Sequence, residues 1–262
     1  GSLLSLEFGI YVMILLALTE GIYKTAMPSF FTLALKDFVL VVMLVRLLYL
    51  SLRRRDFSWL NQRITIPATL FIGYATAMMA APTTQSILVA LAGLRSWVIW
   101  FPLYYPTYAM MQTKRQMVRF VRYVVYISVP TSIYGISQSV IGFEHLSIIP
   151  NFPAHIARYG EMAFSTFNSP APFATFSAVS ALLAIGLALR TSSHIERLLM
   201  FAAAGVGGGG VIASGSRAPL LGLAFGTVVM LLLIRRKGTM IAITGFVVLM
   251  TAVYIVPQVM AG

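Results

Sequence analysis

Residues 38–50 read FVLVVMLVRLLYL and are apolar on every face of a helix, with Arg46 as their one charged side chain. A membrane β-barrel strand alternates apolar and polar residues over about ten positions, and this stretch does not alternate. A helix crosses a bilayer with about 20 apolar residues, because it satisfies its own backbone hydrogen bonds in hydrocarbon. The stretch therefore predicts an all-α membrane fold.

Similar apolar runs recur along the 262 residues, of which 59% are hydrophobic and 10% charged. This composition excludes an ordinary soluble domain. It predicts a polytopic helical bundle of about nine spans, with residues 1–262 forming a single membrane domain. The predicted spans are 3–23, 26–50, 64–82, 86–110, 123–142, 171–189, 198–214, 218–234 and 239–257.

The formal net charge is +12, and most of the basic residues fall in four of the connections between spans. These connections lie around residues 51–63, 112–122, 190–197 and 235–237, after every second span. The positive-inside rule makes them cytoplasmic, which places the N-terminus in the cytoplasm. Because the basic residues mark orientation rather than forming one patch, nucleic acid is not an expected partner.

Six cations are not explained by orientation: Lys24, Lys36, Arg46, Arg95, Arg158 and Arg217. Arg46 lies near a cytoplasmic span end, where a long side chain can snorkel to the interface. Lys36 adjoins Asp37 and is predicted to pair with it. Arg95 lies inside the fourth span, where an arginine costs about 3 kcal/mol on insertion scales. It either faces a wet cavity or forms a salt bridge with Glu7, Glu20 or Asp37.

Arg217 lies in the segment ASGSRAPLLG, residues 213–222, between two apolar runs. Pro219 suits the first turn of a following helix, whose N-terminus carries a positive dipole. The hydroxyls of Ser214 and Ser216 and the amide of Gly215 are further candidate donors. These features favour a bound anion, and the alternative is an arginine that only marks the interface.

The connection at about 143–170 is the longest predicted outside the cytoplasm, and it carries Arg158. With Arg217 and Arg95, Arg158 would form a basic pocket suited to a diphosphate, because arginine grips phosphate through paired N–H donors. A solvated loop arginine is the alternative. Ser169 and Pro170 predict the start of the next helix at the end of this loop.

The glycine tract GVGGGG, residues 205–210, formally contains a dinucleotide-binding pattern at Gly205, Gly207 and Gly210. That pattern has meaning only between a strand and a helix, so it is rejected within a membrane span. Gly205 and Gly209 fit close packing of helices through small residues. A locally broken helix beside a site is the alternative.

Metal and cofactor chemistry are not expected from these residues. The chain has no cysteine, and its histidines, at 145, 155 and 194, do not have the spacing of metal ligands. Glu144 and Glu161 are candidate bases, or partners for the loop arginines. No catalytic residue is assigned.

Three segments together resemble the O-antigen ligase and Wzy polymerase superfamily, which includes ExoQ-type proteins. They are GLRSWVIWFPLYY at 93–105, FSTFNSPAPFATF at 164–176 and SGSRAPLLGL at 214–223. The resemblance implies a GT-C-like, metal-independent glycosyltransferase of a bacterial inner membrane. Its donor would be a glycan on undecaprenyl diphosphate. Its acceptor would be a hydroxyl of lipid A-core or of another glycan, in lipopolysaccharide or exopolysaccharide assembly.

The resemblance also assigns residues. Arg217, with Ser216, matches by position the family's Ser-Arg pair, which is thought to hold the diphosphate, while Arg158 and Arg95 are the further candidates. Family members carry a proposed catalytic histidine in a large periplasmic loop after the stretch that ends at residue 262, so residues 1–262 correspond to the N-terminal portion of that architecture. The general base is therefore not among the assigned residues.

Two other functions fit the same composition. A non-catalytic subunit of a larger membrane complex would use the bundle to bind lipid or other proteins. A transporter would show intramembrane acidic residues and paired broken helices in two related halves, and only one candidate break is visible.

Overall fold

A computed structural model describes residues 5–26, 30–79, 86–98, 100–142, 160 and 162–234. In these ranges the chain forms α-helices joined by short connections and contains no β-strand, which confirms the all-α prediction there. Within the described residues, three helices are long and apolar enough to cross a membrane: Lys114–Ile141, Pro170–Arg190 and His194–Ala213. The predicted ninth span, 239–257, lies outside the described residues.

The helices in chain order are α1 (Leu6–Leu18), α2 (Glu20–Ala26), α3 (Phe30–Arg54), α4 (Thr65–Met78), α5 (Ile87–Val98), α6 (Trp100–Met110), α7 (Lys114–Ile141), α8 (Pro170–Arg190), α9 (His194–Ala213) and α10 (Arg217–Ile234). A 3₁₀ turn at Ser58–Leu60 lies between α3 and α4. The last three helices fall within a few residues of the predicted spans, and Pro170 begins α8 as expected.

Two differences from the predicted boundaries have a clear structural cause. Helix α7 begins at Lys114 rather than near residue 123, because its basic first turns consist of good helix formers that extend the helix beyond its apolar part. The first predicted span, 3–23, instead divides at Thr19 into α1 and α2. A contact described below, with a distant segment, accounts for this break.

The chain separates into two compact units. The first comprises Gly1–Ala17 and Ser29–Met117, and the second comprises Leu18–Pro28 and Val118–Gly262. In the first unit, α6 packs against α3, α5 and the 3₁₀ turn. The indole N–H of Trp59 donates to Ser51 Oγ at 2.7 Å, and its ring meets Tyr105 edge-on with the centroids 5.2 Å apart.

In the second unit, α8 packs against α7, α9 and α10. Its inner face carries alanines and serines, so the neighbouring backbones approach closely. A Cβ built on Gly207 of α9 would lie 3.0 Å from the carbonyl oxygen of Ser177 and 3.1 Å from Ala181 Cβ. The glycine tract is therefore a continuous part of α9 that packs closely against α8, and the alternative of a broken helix is not observed.

The two ends of this unit differ in character. At one end, Arg122 of α7 pairs with Glu196 of α9 at 2.6 Å, and Thr191, after α8, donates to the same carboxylate at 2.5 Å. The other end carries the turn between α9 and α10. Helix α9 has 20 residues, so the ends are about 30 Å apart, which is about the thickness of the hydrocarbon core.

Candidate anion site at the start of helix α10

The connection from α9 to α10 consists of Ser214, Gly215 and Ser216, and hydrogen bonds fix its shape. Ser214 is fully buried, and its hydroxyl donates to Val211 O at 2.6 Å while accepting the Ser216 N–H at 3.1 Å. Gly215 has a φ of +65°, a conformation that glycine adopts without steric cost. The Gly215 N–H donates to Ile212 O at 3.0 Å.

This geometry corrects part of the sequence interpretation. The Ser214 hydroxyl and the Gly215 amide, both named above as candidate donors to a ligand, are used within the turn itself. Their role is to hold the start of α10 in place.

Arg217 is the first residue of α10, and it is exposed. Among the described residues no carboxylate forms an ion pair with it. Pro219 lies in the first turn, as predicted. Since Pro219 has no N–H and the Ser216 N–H is already bonded, the amides of Arg217 and Ala218 are the first-turn donors left without an intrahelical acceptor.

These groups form a coherent donor set. The guanidinium of Arg217 and the two amides lie at the positive end of the helix dipole, and half-buried Ser216 adjoins them. Backbone amides at a helix start, together with a fixed cation, bind phosphate groups in many unrelated folds. The arrangement is therefore suited to a phosphate or diphosphate anion.

A buried loop, residues 163–167 (AFSTF), supports this turn. The Ala163 N–H donates to Ala213 O, the last carbonyl of α9, at 3.1 Å. Next to the loop, Met162 covers Gly215, where an added Cβ would lie 3.3 Å from Met162 Cγ. Buried backbone N–H and C=O groups need hydrogen-bond partners, so this loop needs dedicated hydrogen bonds.

Those bonds come from α7. Ser165 has a φ of +54°, an unusual conformation for a residue with a side chain, and all three of its polar groups are bonded. Its N–H donates to Gln138 Oε1 at 2.8 Å, its hydroxyl donates to Thr131 O at 2.6 Å, and its carbonyl accepts from Gln138 Nε2 at 3.3 Å. Both Ser165 and Gln138 are buried.

The next residue of the loop explains the break between α1 and α2. The Thr166 hydroxyl donates to Leu18 O at 2.6 Å, and Thr166 O accepts the Gly21 N–H at 3.0 Å. A Cβ on Gly21 would clash with the carbonyl oxygen of Phe167. The helix therefore ends at Leu18 and restarts at Glu20, so that its backbone bonds the loop.

Arg95 adopts the salt-bridge alternative considered above, and it lies in the first unit. Its Nε donates to Asp37 Oδ2 at 2.6 Å, and its Nη2 lies 2.5 Å from the same oxygen. Lys36, predicted to pair with Asp37, places its Nζ 5.2 Å from the centroid of the Trp100 ring. The ion pair offsets the cost of Arg95 in an apolar segment, and a diphosphate role for Arg95 stays a prediction.

We expect the Asp37–Arg95 pair to be strongly coupled. Asp37→Asn and Arg95→Met should each lower the thermal stability of the protein in lipid nanodiscs, because each leaves one charge in an apolar segment. The coupling energy of a double-mutant cycle should exceed the ~1 kcal/mol of exposed pairs in water. A double variant whose loss equals the sum of the single losses would contradict this expectation.

The remaining candidates lie outside the described residues: Arg158, His145, His155, Glu144 and Glu161. In the described ranges, no group of three or more His, Asp or Glu residues could hold a metal ion. Ser216 and Arg217 therefore form the part of the predicted pocket that the described structure places together.

Comparison of the chain with protein-family models, with curated proteins and with solved structures finds no match. The likeness to the O-antigen ligase superfamily consequently rests on the three quoted segments. Two of these segments, the buried loop with its following helix and the Ser-Arg turn, lie beside each other in the second unit.

Sequence reasoning did not single out Gln138 and Thr131. Gln138 is a polar side chain within the apolar run of α7, which is a signal of function or buried hydrogen bonding in a membrane helix. Thr131 contributes only its carbonyl oxygen to Ser165, and no sequence pattern predicts that contact.

Proposed function

We propose that this chain is part of a membrane glycosyltransferase that moves a glycan from undecaprenyl diphosphate to an acceptor hydroxyl on the extracytoplasmic face. The proposal includes an arrangement of about nine spans like that of GT-C enzymes, an inner-membrane location and a cytoplasmic N-terminus. One observation carries it: Arg217 is exposed at the start of α10, beside two first-turn amides that have no intrahelical acceptor.

The position of Arg217 supports the choice of a membrane-bound donor. The opposite end of the second unit carries Arg122, Glu196 and residues 190–197, one of the connections predicted to be cytoplasmic. A polyprenyl diphosphate keeps its chain in the bilayer and its charge at the surface, so its diphosphate would lie at the level of Arg217.

The reaction breaks the bond between the anomeric carbon and the diphosphate oxygen, and it forms a bond between that carbon and the acceptor oxygen. The acceptor proton passes to a base that is not assigned among the described residues. Negative charge grows on the departing diphosphate, and preorganised donors stabilise such charge in the transition state. The Arg217 guanidinium and the first-turn amides of α10 would supply those donors.

Donor binding tests the proposal directly. The natural protein carrying Arg217→Ala, purified into nanodiscs, should bind undecaprenyl diphosphate about tenfold more weakly than the wild type, since a charged hydrogen bond contributes about 1.5–3 kcal/mol. The matched control is Arg190→Ala, which removes an exposed arginine from the last turn of α8 at the end predicted to be cytoplasmic. Equal binding by wild type and Arg217→Ala, or equal weakening by the two variants, would refute the assignment.

A further inference from the structure

A groove between α1 and α3 is independent of the proposed glycan site and belongs to the first unit. It encloses a cavity of about 150 Å³. Its floor lies at a close approach of the two helices, since a Cβ on Gly9 would be 2.7 Å from Met43 Cγ. Phe8, Phe38 and Val42 are exposed along its rim, so the groove opens sideways toward the surroundings of the bundle.

The lining of the groove is apolar except at one end. Leu6, Val12 and Val39 complete the apolar walls, and Ser5 and Arg46 are the polar lining residues. No acidic side chain is among the residues that line it. The groove therefore combines an apolar channel with a single positive charge.

The guanidinium of Arg46 is partly buried, whereas a snorkelling arginine places its charged group in water. Its Nε is buried and donates to no acceptor in the described part of the chain. A buried donor without a partner costs about 1–3 kcal/mol, so a ligand that supplies an acceptor here would recover that cost. The interpretation of Arg46 as an arginine that snorkels to the membrane interface does not account for this buried nitrogen.

The dimensions of the groove fit one leaflet of a bilayer. Phe38 and Arg46 mark its two ends on α3, and eight residues of helix rise about 12 Å. One leaflet contributes about half of the ~30 Å hydrocarbon core. An acyl chain along Phe38 and Val42 would therefore leave its headgroup phosphate at Arg46 and Ser5, on the side of the basic end of α3.

We propose that the groove between α1 and α3 binds an anionic glycerophospholipid. One acyl chain lies against Gly9 and Met43, and the phosphate accepts hydrogen bonds from the Arg46 guanidinium. The negative charge of the headgroup compensates Arg46, for which the cavity supplies no acidic partner. This places a lipid of the leaflet predicted to be cytoplasmic between the first helix and the rest of its unit.

Native mass spectrometry of the detergent-solubilised full-length protein tests this site. With equal amounts of phosphatidylglycerol and phosphatidylcholine of matched chains, the wild type should retain phosphatidylglycerol about fivefold better, as expected for one basic residue near an anionic headgroup. Arg46→Met should remove this preference. Arg53→Met, the same change at an exposed position of the last turn of α3, should keep it.

A second variant separates the site from a general effect on folding. Val42→Trp fills the groove without changing its charge, and it should lower retention of both lipids at the groove while Arg46→Met lowers only the preference. Retained selectivity in Arg46→Met, or unchanged lipid retention in Val42→Trp, would overturn the proposal. Loss of selectivity in Arg53→Met to the same extent would also overturn it, because the preference would then come from general surface charge.

Discussion

The glycan transfer proposed for this protein is expected to fall by about a hundredfold or more when Arg217 is replaced by alanine, as when one donor is removed from a preorganised anion site. Insertion and folding should be unchanged, because the exposed Arg217 side chain forms no ion pair with a described residue. Lipid-linked donor should accumulate, and surface polysaccharide should be lost. Both quantities can be measured in cells by extracting the lipid-linked glycan and by blotting the polysaccharide.

Two further variants test whether the effect requires the paired donors of Arg217 and whether it is specific to that position. Arg217→Lys keeps the charge but loses the paired N–H donors suited to phosphate, so it should retain only part of the activity. Arg190→Ala changes the last turn of α8, at the opposite end of the second unit from Arg217. This variant should transfer glycan as the wild type does. Normal surface polysaccharide in Arg217→Ala cells would show that the guanidinium does not act on the leaving group, whatever the effect on donor binding.

The second large effect is expected from Gly207→Leu, in the contact between α9 and α8. The added Cβ would lie 3.0 Å from a backbone oxygen and 3.1 Å from Ala181, and neither can rotate away. Overpacking of this kind costs about 3 kcal/mol, which corresponds to a melting temperature lower by about 10 °C. Thermal unfolding in detergent or nanodiscs measures the change.

The matched control is Gly222→Leu in α10. A Cβ at Gly222 has no neighbour within 4 Å, so the same substitution there adds helix propensity and an exposed apolar side chain without a clash. Its melting temperature should equal or exceed that of the wild type. If both leucine variants melt alike, close packing at the glycine tract is not what holds α9 against α8.

The sequence predicted α8, α9 and α10 well because their signals are local. Apolar length identified α8 and α9, Pro170 marked the start of α8, and Pro219 marked the first turn of α10. It also placed Arg217 immediately before a predicted span, where α10 begins. The prediction that Ser214 and Gly215 donate to a ligand was wrong. Their hydroxyl and amide donate instead to carbonyl oxygens that become available only where α9 ends.

Apolar length and charge distribution by themselves predicted an all-α membrane protein. They also placed Arg217 among the cations that orientation does not explain. The tertiary structure decided how the turn before Arg217 is supported: Ser165 takes a left-handed conformation bonded by Gln138, and the first helix breaks so that Gly21 can bond Thr166. The physical reason is that the apolar length of a segment acts locally, whereas the acceptor for a buried backbone N–H can lie more than a hundred residues away, as Thr166 does from Gly21.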